Sequence, residues 1–236
     1  MISARAAPGS DFTKLKMILL PDFNEAFSHE NNFYLSCDST RIAKLIAQYE
    51  LFKLSIDVPG AIIECGVFKG VSLARFAHFR EILSPNGIKE IIGFDTFGKF
   101  PDSTFEPDND LLEKFVQSAG NMSIGKDQMT EVLQKKGLDH NVKLIEGDIM
   151  QTIPQFVNDN PGLTVSFLNL DVDLYEPSRV ILEYLYPCLA KGGVLLLDDY
   201  GKFPGETKAV DDYFAGKDVA VKHLPYVKSP CYIIKD

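Results

Sequence analysis

Short apolar runs separated by polar, helix-spaced stretches dominate the chain from residue 58 onward. Ala61-Ile-Ile-Glu-Cys-Gly66, Glu90-Ile-Ile-Gly-Phe-Asp95, Asn141-Val-Lys-Leu-Ile-Glu-Gly147, Leu163 to Asp171 and Gly193 to Asp198 each read as a strand. Continuous apolar runs without alternation are the mark of strands buried on both faces of a parallel sheet. Between them lie helical stretches: Arg41 to about Ile56, Ser72 onward, Lys126 to Gly137, Ile149 to about Asn158, Pro177 to Ala190, and Pro204 to about Phe214. Asp38-Ser-Thr40 supplies an N-cap for the first helix, and Gly137 a stop for the third. Lys191-Gly-Gly193 reads as the end of the helix begun at Pro177. Val219 to Leu224 and Cys231 to Ile234, separated by a short Pro225–Pro230 stretch, read as two strands of a hairpin. Residues 1–35 show no clear period. The pattern predicts an α/β fold, with a cap over 1–57, a main domain over 58–236 and an inserted loop over 98–125.

Where the apolar runs stop matters most. Leu168-Asn-Leu-Asp-Val-Asp-Leu-Tyr-Glu176 and Leu195-Leu-Leu-Asp-Asp-Tyr-Gly201 both break from apolar residues into paired aspartates. Unpaired charge is not tolerated inside a buried strand, so the acids mark its carboxyl end. In open α/β sheets ligands bind there. Asp171, Asp173, Asp198 and Asp199 at neighbouring strand ends would repel one another, so positive charge is expected among them. An oxygen-only donor set favours a hard cation, with Mg²⁺ the best fit. Residues two apart on a strand point the same way, roughly 6.5 Å apart. That lets Asp171 hold a metal while Asp173 faces a bound hydroxyl. Adjacent Asp198 and Asp199 reach one ion only if the chain turns at Tyr200-Gly201.

Strand, glycine turn, helix recurs at Glu64 to Ser72. Gly66-Val67-Phe-Lys-Gly70 lets the backbone approach a ligand, and the helix starting near Ser72 offers free N–H groups. The segment is neither Gly-x-Gly-x-x-Gly nor a phosphate-binding Walker loop. Glu64 suits a cationic ligand such as the sulfonium and amino group of S-adenosylmethionine. Asp95, at the end of the second strand, is placed to take the hydroxyls of a ribose. Asp148 suits an adenine amino group, or equally a helix N-cap. The acidic loop carries Asp102, Glu106, Asp108, Asp110 and Glu113 among Phe97, Phe100, Phe105 and Phe115. A connection of that length suggests a lid, or a solvated face.

Composition narrows the partners. The chain has 236 residues, 45% hydrophobic and 24% charged, as expected of an ordinary globular protein. Its net charge of -9 argues against a nucleic-acid partner. The apolar runs are too short for a membrane span, and Met1 to Ser10 lack the apolar region of a secretory signal. Cys37, Cys65, Cys188 and Cys231 have no metal or disulfide spacing, which fits reduced thiols in a cytoplasmic protein. His29, His78, His140 and His223 have no partner spacing. Tyr175 and Tyr200 flank the acids as pocket candidates, and Arg179 and Lys202 as counter-charges. The unpatterned N-terminus is compatible with a lid or a homo-oligomer contact.

Glu64-Cys-Gly-Val-Phe-Lys-Gly70, Gly93-Phe-Asp-Thr-Phe97, Leu170-Asp-Val-Asp-Leu-Tyr-Glu-Pro177 and Asp198-Asp-Tyr-Gly201 together resemble the macrocin O-methyltransferase family, from about residue 58 to 215. The resemblance implies a Rossmann-like class I methyltransferase sheet, mostly parallel with an antiparallel C-terminal strand. It also implies S-adenosylmethionine and Mg²⁺ as cofactors, and methylation of a hydroxyl on a small-molecule natural product. By this resemblance Asp171, Asp198 and Asp199 correspond to metal ligands and Asp173 to the general base. Glu64, Gly66, Val67, Gly70, Ser72, Asp95 and Asp148 fall in the cofactor-contacting segments. Three alternatives share parts of the pattern. A metal-dependent glycosyltransferase would use Asp171-Val-Asp173, a binding protein would keep the fold without turnover, and a catechol-type O-methyltransferase would differ in acceptor.

Overall fold

The computed structural model describes residues 18–84 and 89–236. In chain order the elements are α1 (Ala26–Ser36), α2 (Ser39–Leu54), β1 (Ala61–Cys65), α3 (Val71–Leu83) and β2 (Ile91–Asp95). A 3-10 turn (Glu106–Asp108), α4 (Asn109–Ala119), α5 (Lys126–Lys136), β3 (Val142–Glu146) and α6 (Ile149–Asp159) follow. Then come β4 (Val165–Leu170), α7 (Tyr175–Tyr184), β5 (Leu189–Leu197), α8 (Pro204–Phe214), β6 (Lys222–His223) and β7 (Cys231–Ile234).

The strands form one sheet in the order β3-β2-β1-β4-β5-β7-β6. Pairing is parallel from β3 through β5, and β7 runs antiparallel to both β5 and β6. The order reverses between β1 and β4, which opens a crevice at their carboxyl ends. Alternate residues of each strand feed opposite faces. Ile63, Leu168 and Leu195 pack with Ile181 of α7 on one face. Ile62, Phe167 and Leu196 pack with Phe52 of α2 and Phe76 of α3 on the other. All of these side chains are fully buried, each worth roughly 1.5–3 kcal/mol of burial. Because Phe52 and Leu51 sit in this core, α2 is a layer of the sheet domain rather than a detached flap.

Local sequence explains most of the boundaries. Asp38 caps α2 by accepting from Thr40 N and Arg41 N. Gly137 ends α5 in the left-handed conformation. Three expectations need correction. Residues 26–36 form a helix, although no period marks it, because α1 buries none of its residues and so has no apolar face to write. The helix begun near Pro177 stops at Tyr184, and β5 already starts at Leu189. Pro187 cannot continue a helix. Beyond it, Gly192 N bonds Lys235 O at 2.7 Å and Lys235 N bonds Gly193 O at 2.9 Å, so the glycines extend the sheet. The strand expected over 219–224 shrinks to Lys222–His223, an exposed edge pair.

Candidate active site

Three strand ends carry residues in the left-handed region: Phe68 (φ 46) after β1, Phe97 (φ 47) after β2 and Asp173 (φ 63) after β4. Such strain in non-glycine residues collects where surrounding structure holds it for a purpose. Phe68 and Asp173 line a cavity of about 1760 Å³ over the crevice, while Phe97 packs in the core beneath it. That volume exceeds the range usual for one small ligand, so there is space for two. Gly66, Val67, Ser72, Asp95, Asp148 and all four aspartates line it.

The glycines of the turn also have a packing role. A Cβ on Gly66 would lie 1.8 Å from Asp171 O, and one on Gly70 would lie 2.5 Å from Met129 Sδ. The glycines bring protein against protein at these two points, packing β1 against the end of β4 and α3 against α5. Glu64 and Gly70 lie outside the lining, and Glu64 is fully buried. Its Oε1 accepts from Asn169 Nδ2 at 3.2 Å, and its Oε2 has no partner. Burial pushes its carboxyl up to about 8, against the hydrogen bonds of Ser72 and Asn169. Asp95 accepts from Phe68 N at 2.9 Å and Phe97 N at 2.7 Å, which ties the turns after β1 and β2 together. Asp148 caps α6 through Met150 N at 2.9 Å, while still lining the cavity.

The four aspartates divide. Asp171, Asp173 and Asp199 each bring a carboxylate oxygen within 4.8 Å of the others. They meet through turns and not through strand alternation, since β4 ends at Leu170 and Asp173 has left the extended region. Asp198 is 1% exposed and turns to Lys44 of α2, whose Nζ lies 2.5 Å from its Oδ2. Its Oδ1 is buried without a partner. Burial pushes Asp173 well up, and the charge of Asp199 and a hydrogen bond with it push it further. Asp171 is driven up by burial and then by Asp198.

Sequence reading missed three supports of this cluster. Lys44 is one. Glu206 is another, fully buried, with Oε1 accepting from Asp199 N at 3.0 Å while its own N–H bonds Asp173 O at 3.1 Å. It makes the turn after β5, where Gly201 has φ 81, and ties that turn to the one after β4. Asp108 is the third. It leaves the acidic loop to accept from Gly205 N at 2.7 Å, Tyr175 N at 3.3 Å and Ser103 Oγ at 3.2 Å. It joins the positive N-terminal ends of α7 and α8, where an acid is favoured. A lone buried acid in an acidic run carries no local signal, and neither does a lysine on a polar helix face.

Other candidates fall away from the cavity. Tyr175 and Tyr200 donate to Asp212 at 3.0 Å and Asp211 at 2.8 Å on α8. Arg179 pairs with Glu183, whereas Lys202 does reach Asp199 at 3.3 Å. The four cysteines are free. Phe100 and Phe115 of the loop pack on Phe68, so the loop folds over the glycine turn. Among the described residues no helix is long and apolar enough to cross a membrane.

The acidic cluster fits a divalent cation. Its donors are oxygens alone, and it lies beside a buried carboxylate oxygen that lacks a partner. The other end of the cavity fits a nucleoside-bearing ligand, with Asp95 at the end of β2 and Asp148 at the start of α6.

The model of the Macrocin-O-methyltransferase (TylF) family matches residues 37–225. Demethyldecarbamoylnovobiocin O-methyltransferase of Streptomyces niveus is 28% identical over 170 residues, 70% of this chain and 62% of its own length. The 8-demethyl-8-(2,3-dimethoxy-alpha-L-rhamnosyl)-tetracenomycin-C 4'-O-methyltransferase of Streptomyces olivaceus is 28% identical, over 68% of this chain and 60% of its own. The chain therefore spans about three-fifths of the length of the curated relatives it matches (62% and 60%). The crystal structure of CalS11, calicheamicin methyltransferase, superposes with a TM-score of 0.73 at 26% identity, covering 98% of this chain and 99% of that one.

Proposed function

The chain belongs to the macrocin O-methyltransferase family, and from that premise we propose that it transfers a methyl group from S-adenosylmethionine to a hydroxyl of a natural-product sugar or vicinal diol, aided by Mg²⁺. One observation carries the reading. A single cavity runs from the turn at Gly66 and Asp95 to the carboxylates of Asp171, Asp173 and Asp199. An electrophile and a nucleophile can meet only if their two sites share such a space. The sugar acceptor is suggested by the rhamnosyl compound named for the Streptomyces olivaceus relative.

S-Adenosylmethionine supplies a methyl group already activated by its sulfonium, so the protein's main work is alignment. Asp95 and Asp148 hold the nucleoside end, and the Gly66–Val67 turn forms the floor between the two sites. Asp171, Asp198 and Asp199 are the residues proposed to hold the cation. A divalent cation in that cluster supplies the charge that makes an alcohol more acidic. Asp173 accepts the hydroxyl proton as the oxygen attacks. Its left-handed backbone, anchored by Glu206 N–H on its carbonyl, points the side chain into the cluster instead of along the strand.

The test is transfer of labelled methyl to a panel of deoxysugar-bearing acceptors, with Mg²⁺ or with EDTA. In parallel, melting with S-adenosylhomocysteine is compared with melting in a nucleotide sugar. Stabilisation by the nucleotide sugar alone would favour the glycosyltransferase alternative.

A further inference from the structure

Glu206 is the third residue of α8, whose capping residue is Phe203. From that position a glutamate ordinarily reaches back to the N–H of the capping residue. Here Phe203 gives its N–H to Asp199 O at 3.0 Å. Glu206 Oε1 reaches past it and accepts from Asp199 N, also at 3.0 Å. Lys202 N adds a bond to Asp199 O at 2.8 Å. Both backbone groups of Asp199 are therefore held by the start of α8 and the residue just before its cap. The same glutamate reaches the other acidic turn, since its N–H donates to Asp173 O at 3.1 Å. Starting a helix accounts for neither contact.

Glu206 is fully buried and belongs to none of the ion pairs among the described residues. Its Oε2 has no hydrogen-bond partner. A buried carboxylate with an unpartnered oxygen is a poor choice for stability alone. It lies outside the cavity lining, whereas Asp199 and Asp173 line it. Glu206 can thus act on a ligand only through them. Its own position is fixed from the other side. Gly205 N donates to Asp108 Oδ1 at 2.7 Å, and a Cβ on Gly205 would collide with the Asp108 carboxylate and with Tyr175 N. The start of α8 is pressed against the start of α7 and is a firm reference for the two turns.

We propose that Glu206 is a positioning residue for the cation: its side chain fixes the backbone of Asp199 so that this carboxylate converges with those of Asp171 and Asp173. Holding Asp173 falls to the backbone N–H of Glu206 instead. The inference rests on the cation of the methyl-transfer reading above, and adds the residue that sets one of its ligands. Asp199 follows directly on a strand, where adjacent side chains diverge. The bond from its N–H to Glu206 Oε1 is what holds it out of that alternation. The role is one of placement, and the charge of Glu206 is not part of it.

Two conservative variants separate placement from charge. Glu206→Asp keeps the carboxylate but draws it back by one C–C bond, about 1.5 Å. Glu206→Gln keeps the acceptor in place and removes the charge. Mg²⁺ is titrated against melting temperature, and S-adenosylhomocysteine is titrated by calorimetry in the same proteins. Glu206→Asp should need about tenfold more Mg²⁺ or higher for half of its melting-temperature rise, the usual effect of losing a group that orients a ligand. Glu206→Gln should stay within about threefold of the wild type. Both should bind S-adenosylhomocysteine within about twofold, because that ligand's end of the cavity is distant from the change. With the best acceptor of the panel above, turnover of Glu206→Asp should recover at saturating Mg²⁺, since both variants keep the N–H on Asp173 O. Impairment of Glu206→Gln but not Glu206→Asp would make the charge the operative feature and overturn the proposal. So would equal Mg²⁺ responses in the two variants, a parallel loss of S-adenosylhomocysteine binding, or a turnover defect that saturating Mg²⁺ leaves in place. A wild type stabilised by S-adenosylhomocysteine but indifferent to Mg²⁺ would sink this inference alone. One that responds to neither would remove the methyl-transfer reading itself.

Discussion

The ammonium of Lys44 lies 2.5 Å from Oδ2 of Asp198, joining α2 to the carboxyl end of β5. Burial opposes the lysine charge, but Asp171 and Asp198 outweigh it and raise its pKa. The acidic cluster thus has a built-in counter-charge drawn from the N-terminal region. Asp198 is buried beside it with one oxygen unpartnered.

Removing that counter-charge should cost stability until a metal replaces it. Breaking a buried ion pair costs about 3–5 kcal/mol, and less where one partner reaches solvent. Lys44 is 31% exposed, so Lys44→Met is expected to lose about 1–3 kcal/mol in EDTA. Mg²⁺ should raise its melting temperature more than that of the wild type. Equal Mg²⁺ responses in the two proteins would show that the lysine does not compete for the site.

The carboxylates that converge are Asp171, Asp173 and Asp199, whereas the proposed ligand set includes Asp198 and makes Asp173 the base. Asparagine variants distinguish the two. Asp173→Asn should keep the Mg²⁺-induced rise in melting temperature and lose about 10²–10⁴ in turnover. Asp198→Asn should lose the Mg²⁺ response. The reverse pattern would make Asp173 a ligand.

Metal removal gives a simpler check. Activity should vanish in excess EDTA and return on adding Mg²⁺ or Mn²⁺, both of which suit an all-oxygen site. Full turnover in EDTA would take the cation out of the reaction.

Glu64 makes a prediction about pH. Its folded pKa of about 8 stands above the ordinary 4.5, because burial disfavours the charge. The folded protein therefore holds this proton more tightly than the unfolded chain, so its contribution is complete below about pH 4.5 and is lost as pH rises through about 8. Glu64→Gln, which keeps an acceptor for Asn169, should flatten the decline in melting temperature between pH 5 and pH 8 (about the two ends of that window). An unchanged slope would place the titration elsewhere.

Asp108 should be structural. Asp108→Ala strips acceptors from Gly205 N and Tyr175 N. A loss of about 2 kcal/mol or more is expected in urea unfolding, the cost of leaving buried donors unpaired. A neutral result would mean that water replaces the carboxylate.

The buried strands were legible in the sequence because their signal is local. Largely apolar runs that stop at Asp95, Asp171 and Asp198 point to strands buried on both faces and to the end at which a polar site must lie. The N-cap at Asp38 and the stop at Gly137 are written within a few residues of where they act. Helix α1 was not legible, since a helix that buries nothing needs no periodic face. The start of β5 was hidden too, because Lys191-Gly192-Gly193 looks like a helix stop until β7 lies alongside it.

The partners of the acids were decided in three dimensions. Lys44 and Asp198 stand 154 positions apart, and Asp108 and Gly205 stand 97 apart. No local pattern pairs them. They meet because α2 packs on the sheet through Leu51 and Phe52, and because the acidic loop folds across the starts of α7 and α8. The sequence by itself placed negative charge at the strand ends. Only the packing of helices against those ends decided which carboxylate meets a lysine, which meet one another, and which are left for a ligand.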